Sequence, residues 1–61
     1  MPMNYEVEYF NTASSEYARS YKASTKENAL RMAEDTATDA YRVDVFEGTE
    51  LIATWVNGER Q

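Results

Sequence analysis

The chain has 61 residues, a net charge of −5 at neutral pH, and neither cysteine nor histidine. This length allows one small domain, because so short a chain buries only about 60% of the surface that it exposes when unfolded. The missing residue types exclude disulfides, a thiolate nucleophile, a Ser–His triad and most zinc sites. The two glycines stand apart, so there is no glycine-rich loop to hold a phosphate. We therefore predict a protein that is not an enzyme and that has no cofactor or metal.

The first part of the chain predicts a β-hairpin. Apolar and polar residues alternate over 3–10, which indicates a strand with one buried face. A weaker alternation predicts a second strand over 17–23. A register that pairs Tyr9 with Tyr17 would stack aromatic rings across this hairpin, and it places Arg19 on the inner face.

A helix is predicted next, over 25–39. Its start is marked by the capping pattern S-x-x-E from Ser24 to Glu27, although Thr25 could equally be the cap. Small and apolar residues follow at helical spacing and form one narrow stripe: Ala29, Leu30, Ala33, Thr36, Ala37 and Ala40. So many alanines favour close packing of this helix on a sheet.

The last part of the chain predicts a second hairpin, with strands over 41–47 and 51–56. Gly48 comes first in a two-residue connection, as a type II′ turn requires. The register that follows from this turn puts Val45 and Ile52 on one face of the sheet. It puts Trp55 on the other face, unless a bulge or a different turn inverts the assignment. The polar residues 57–61 are expected to form a frayed tail.

These elements predict an α+β fold of the type ββαββ in a single domain over 1–61. The simplest arrangement is a four-stranded antiparallel sheet with the helix packed on one face. Strand order 2-1-3-4 keeps every neighbouring pair antiparallel, and other orders stay open.

The face of the sheet away from the helix is the predicted binding surface. Phe46, Leu51 and Trp55 would provide apolar anchors there, since an exposed apolar patch on a small protein usually marks a contact site. Arg42 would lie opposite Trp55 and make a cation–π contact with its indole. The acidic rim of this surface would consist of Asp44, Glu47 and Glu50.

The negative charge narrows the choice of partner. Nucleic acids and anionic membranes repel an acidic domain, so we expect neither to bind directly. The first residues lack the basic and apolar stretches of a signal peptide, and no apolar run could span a membrane, which together predict a cytoplasmic protein. The expected partner is a basic surface of another protein. The alternative is a homodimer, formed sheet to sheet or edge to edge.

One segment resembles a known group of proteins. It runs from Tyr21 and Ala23 through Thr25 and the helical Ala29-Leu30 to Ala33-Glu34, in the order strand, capped helix, strand. In this layout the chain resembles the small acidic phage-encoded inhibitors of bacterial RNA polymerase of the T7 group. The resemblance covers about a quarter of the chain and assigns no binding residue. It implies a viral inhibitor of a host protein, a class that includes anti-CRISPR proteins.

Overall fold

The computed structural model describes residues 4–11 and 17–61. The elements in chain order are β1 (Tyr5–Phe10), β2 (Tyr17–Ala23), α1 (Lys26–Ala37), β3 (Arg42–Glu47), β4 (Glu50–Val56) and β5 (Glu59–Arg60). The strands form one antiparallel sheet in the order β2-β1-β3-β4-β5, and α1 packs on one of its faces. The predicted α+β fold, with one helix and an antiparallel sheet, is confirmed. The sheet has five strands instead of the predicted four.

The additional strand lies in the segment predicted as a frayed tail. Asn57 and Gly58 both have positive φ, at 54° and 85°, as the two central residues of a type I′ turn require. This turn pairs Val56 with Glu59 and so adds β5 beside β4. The predicted tail is therefore wrong, because the Asn-Gly pair forms a hairpin turn that returns the chain to the sheet.

The helix begins where one of the two predicted caps places it. Thr25 has extended backbone, and its side-chain oxygen accepts a hydrogen bond of 3.1 Å from the backbone N–H of Asn28. Thr25 therefore satisfies one of the free N–H groups of the first turn. The helix ends at Ala37, two residues before the predicted end, where the N–H of Asp39 turns back to the carbonyl of Thr36.

The hairpin of β3 and β4 contains a bulge. Phe46 lies opposite Leu51, as predicted, but Val45 lies opposite Ala53, so Ile52 has no partner in this register. Side chains alternate between faces along a strand, so one extra residue moves every later residue to the opposite face. The predicted register therefore holds only next to the turn.

Trp55 is the residue most affected by this bulge. It lies opposite Val43 in the core and is only 5% exposed, so its predicted place on the uncovered face is wrong. The guanidinium carbon of Arg60, on β5, lies 5.4 Å from the centre of the indole. The cation–π contact that was predicted with Arg42 is thus made by Arg60.

The first hairpin also differs from its predicted register. Tyr9 lies opposite Arg19 instead of Tyr17, a shift of two residues. An even shift leaves Arg19, Tyr21 and Ala23 on the face that the alternation assigns to them. Tyr9 therefore contacts Tyr21 instead of Tyr17, with 5.2 Å between ring centroids, and Arg19 lies on their face of the sheet.

The core lies between α1 and the central strands. Its buried members combine alanines from the helix with larger residues from the sheet: Tyr5, Val7, Ala29, Ala33, Ala37, Val43, Val45, Ala53 and Trp55. The small helix residues allow close approach to the strands, as the alanine stripe predicted. The helix contacts β3 and β1 more than it contacts β2. One edge of the sheet is therefore poorly covered on the helix side.

Candidate functional site

The face of the sheet turned away from α1 is the candidate binding surface. The pairing of the strands assigns alternate residues to it: Glu6, Glu8 and Phe10 of β1, Lys22 of β2, Arg42, Asp44 and Phe46 of β3, and Leu51, Thr54 and Val56 of β4. We call this surface the open face. No element among the described residues packs on it.

The apolar part of the open face lies beside the Gly48–Thr49 turn. Leu51 is 46% exposed, and Phe46, directly opposite, is half-buried. Neither side chain packs against the core. Phe10 belongs to the other end of the face, where the guanidinium carbon of Arg42 lies 5.7 Å from its ring centre. Apolar surface is therefore available at the turn end of the open face.

The centre of the open face is polar, and Asp44 is its most buried member. Asp44 is 4% exposed and accepts a hydrogen bond of 3.0 Å from Nε of Arg42. The hydroxyl of Thr54 donates to the same carboxylate oxygen. The bond to Asp44 raises the pKa of the Arg42 guanidinium above its ordinary value. The charge of Asp44 is thus already balanced within the sheet, and Asp44 does not form an exposed acidic rim.

Glu8 is the carboxylate of the open face whose charge is least compensated. It lies opposite Asp44 across the β1–β3 pair, with Glu6 two residues away on the same strand. Burial raises the pKa of Glu8 above its ordinary value, and the charges of Glu6 and Asp44 raise it further. Among the described residues, no Lys or Arg forms an ion pair with Glu8. A cation from outside the chain would relieve this repulsion.

The remaining predicted site residues lie elsewhere. Glu47 is on the helix side, where it accepts a hydrogen bond of 3.0 Å from the hydroxyl of Tyr5. That bond raises the pKa of the Tyr5 hydroxyl. Glu50 is exposed at the turn, opposite Glu47, and Trp55 is in the core. Of the seven predicted residues, the open face brings together Arg42, Asp44, Phe46 and Leu51.

Two acidic residues of the open face were not among the predicted site residues. Glu6 and Glu8 precede Phe10 at alternate positions of β1. The same alternation that predicted this strand puts all three side chains on the face away from the helix. The signal was therefore present in the sequence, but the register that puts Glu8 opposite Asp44 of β3 was not.

The part of the chain that the structure describes meets the requirements of neither a metal site nor a membrane-spanning helix. Within residues 4–11 and 17–61, no three acidic side chains come close enough together to hold a metal ion. In the same part of the chain, no helix is long and apolar enough to cross a membrane.

No protein-family model matches this chain, and neither a curated protein nor a solved structure is similar to it. The resemblance of 21–34 to the phage inhibitors therefore stays a prediction.

Proposed function

We propose that the chain is a small acidic protein-binding module whose open face docks on a basic surface of another protein. It acts stoichiometrically, as an inhibitor or adaptor of the phage type, with no chemistry of its own. The observation that carries this proposal is the exposed Leu51 beside the half-buried Phe46, on a sheet face that also carries Glu8, which forms no ion pair with a described residue.

The two parts of the open face would have different roles in binding. Leu51 and Phe46 would lose apolar surface to the partner, which favours association by about 25 cal/mol per Å² removed from water. Glu6 and Glu8 would attract Lys and Arg side chains, which increases the association rate and selects against acidic partners. A partner with a basic rim around an apolar depression fits both parts.

The residue types of the open face support binding over catalysis. The chain has no histidine, and Asp44 is held by Arg42 and Thr54, so it is poorly placed to accept a proton from a substrate. A hydroxyl such as that of Thr54 is a weak nucleophile without an adjacent base.

A homodimer is the alternative that the exposed Leu51 also favours. Two copies joined through their open faces would bury Leu51 but would bring together the two Glu8 carboxylates. We therefore expect a monomer at micromolar concentration in low salt. Sedimentation equilibrium distinguishes the monomer from the dimer. A dimer that dissociates in the Leu51→Ser variant would show that the open face binds a second copy instead of a foreign partner.

The test of the proposed function compares two exposed apolar side chains on opposite faces. Leu51→Ser alters the open face, and Tyr21→Ser alters the helix side, where Tyr21 is 39% exposed. A partner is first isolated with the wild-type chain from the source cell or its host. Its affinity is then measured for the wild type and for each of the two variants. We expect Leu51→Ser to weaken binding about tenfold and Tyr21→Ser to leave it unchanged. Equal affinities for all three chains would contradict docking through the open face.

The salt dependence provides a second readout. If Glu6 and Glu8 attract a basic surface, the association rate falls as NaCl is increased, since salt screens exposed charges beyond about 8 Å at physiological ionic strength. A rate that does not change with salt would contradict the basic character of the partner.

A further inference from the structure

The outer edge of β2 differs from the open face in both charge and geometry. Among the described residues β2 pairs only with β1, so its other side is an edge of the sheet. The edge at the opposite end of the sheet is β5, which has only two residues, whereas β2 has seven. β2 is therefore the longer of the two edges.

The hydrogen bonds of the sheet show which backbone groups of β2 point outward. The N–H of Gly48 donates to the carbonyl of Asn4 at 3.2 Å, so the backbone groups of Asn4 point toward β3. Backbone groups alternate in direction along a strand, so those of Val7 point toward β2. Val7 lies opposite Tyr21, and the backbone groups of Tyr21 therefore point to β1. By the same alternation, the N–H and C=O of Lys22 point away from the sheet.

The charge of this edge is opposite to that of the whole chain. Residues 17–23 contain Arg19 and Lys22 and no acid, in a chain of net charge −5. Both cations are exposed, and neither forms an ion pair with a described residue. Arg31 and Arg42, by contrast, are paired with Glu27 and Asp44.

The helix side of β2 is also accessible. The edge borders a cleft of about 270 Å³ on that side, between β2 and the end of α1, lined by Tyr9, Asn11, Arg19, Tyr21, Thr36, Asp39 and Ala40. Arg19 donates a hydrogen bond of 3.3 Å to the hydroxyl of Tyr21, which holds the guanidinium beside that hydroxyl. A side chain from a strand beside β2 could enter this cleft and meet the guanidinium.

We propose that the β2 edge is a second binding site, which takes an extended acidic segment of a partner protein by strand addition. Backbone groups such as those of Lys22 would pair with the added strand, and carboxylates on the helix side of that strand would meet Arg19, while Lys22 adds positive charge on the other side of β2. This mode gives affinity through the main chain and selectivity through charge. The site lies apart from the apolar end of the open face at Phe46 and Leu51, although Lys22 borders both.

A second copy of this chain fits the edge less well. Joining two β2 strands would gather four cations, two from each copy, and like charges near an edge oppose such pairing. The cations therefore disfavour self-pairing and favour an acidic strand.

The test uses the full chain and a fluorescein-labelled peptide of alternating Glu and Val, with a peptide of alternating Lys and Val as its counterpart. We expect fluorescence anisotropy to show binding of the acidic peptide and at least about tenfold weaker binding of the basic one. Arg19→Gln should weaken binding of the acidic peptide at least about fivefold. Arg31→Gln removes an equal charge from the exposed helix surface and should leave the affinity unchanged. The chain with Leu51→Ser should bind the peptide like the wild type, which separates this site from the open face.

Hydrogen exchange separates strand addition from simple charge attraction. We expect the acidic peptide to slow exchange of the Lys22 amide at least about tenfold, because that N–H would enter a hydrogen bond. Binding without this protection would overturn the proposal, as would equal binding of the basic peptide or no binding of the acidic one. Protection of Lys22 that grows with protein concentration in the absence of peptide would also overturn it, because the occupant would then be a second copy.

Discussion

Trp55 is the largest side chain of the core, and its removal tests the register of β4 directly. Trp55→Ala would leave a cavity between α1 and the sheet, so we expect a loss of about 3–5 kcal/mol in the free energy of unfolding. A domain of this size rarely has more than about 3–5 kcal/mol, so the variant should be largely unfolded. Urea denaturation followed by circular dichroism measures this loss. Leu51→Ala, on the open face, should stay within about 0.5 kcal/mol of the wild type. A folded Trp55→Ala chain would show that the indole is exposed.

Glu8 predicts how stability depends on pH. Its raised pKa means that the folded chain holds a proton at pH values where the unfolded chain has lost it. The free energy of unfolding therefore falls as the pH rises from the ordinary value of 4.5 through the raised one. Glu8→Gln removes this decrease in the free energy of unfolding. We expect the variant to be more stable than the wild type at pH 7, by at most about 1 kcal/mol. The advantage should vanish below the ordinary pKa.

A matched variant removes the same charge where it is not crowded. Glu34 is exposed on α1, so we expect Glu34→Gln to change stability at pH 7 by less than Glu8→Gln does. Thermal melts of the three chains between pH 4 and pH 8 provide the comparison, with the range chosen to include the ordinary pKa of 4.5 for Glu. If both variants changed stability equally, overall charge and not the pairing of Glu8 with Asp44 would be the cause.

At the level of elements, the turn before β5 has a specific requirement. Gly58 has φ +85°, while a Cβ added there would come no closer than 3.8 Å to the carbonyl oxygen of Ala37. Space is therefore available, and the strain of Gly58→Ala would come from the backbone, at about 1–2 kcal/mol. We expect Gly58→Ala to lower the melting temperature and to loosen the contact of Arg60 with Trp55. Asn57→Gly should have neither effect, because glycine readily adopts positive φ. Equal melting temperatures would show that the turn does not stabilise the fold.

The elements that the sequence predicts well are those with a clear period. The alternation of β1 and the alanine stripe of α1 assigned the correct faces, because each pattern has one apolar side. In β4 the apolar residues Leu51, Ile52, Ala53 and Trp55 fall at both even and odd positions. Alternation therefore cannot choose a face there, and the turn alone fixed the predicted register. A bulge two residues from the turn was enough to invert it.

The candidate site was predicted only in part for the same reason. Phe46 and Leu51 are adjacent to the turn, before the bulge, so their predicted pairing held. Trp55 lies beyond the bulge, and the predicted anchor became part of the core. Glu8 joined the site through the pairing of β1 with β3, a contact between strands that are distant in sequence. The predicted strand order 2-1-3-4 already placed β1 beside β3, but no local pattern fixes the register that puts Glu8 opposite Asp44.

At the scale of the whole molecule, the excess of acids predicts a response to salt. The chain has a net charge of −5, and the described residues contain two ion pairs, Glu27–Arg31 and Arg42–Asp44. Repulsion among like charges opposes the compact state, and salt screens it. We expect NaCl to raise the melting temperature by a few degrees, since about 1 kcal/mol corresponds to about 4–8 °C in a domain of this size.

The salt response has its own control. A chain with both Glu34→Gln and Asp35→Asn loses two exposed negative charges from α1. It should melt at a higher temperature than the wild type in low salt and gain less from added NaCl. A melting temperature that falls with NaCl would indicate that attractive charge pairs outweigh the repulsion.

The bulge at Ile52 means that β4 has one residue more than its pairing with β3 requires. If the codon for Ile52 were lost, Val45 and Val43 would still face Ala53 and Trp55, now through an unbroken ladder. If one codon were gained beside it, the added residue would have to be taken up by a wider bulge, or Trp55 would be turned out of the core. Circular dichroism of the two length variants should therefore show a folded chain after the deletion and a destabilised one after the insertion. Over evolutionary time, this part of the gene should tolerate shortening better than lengthening.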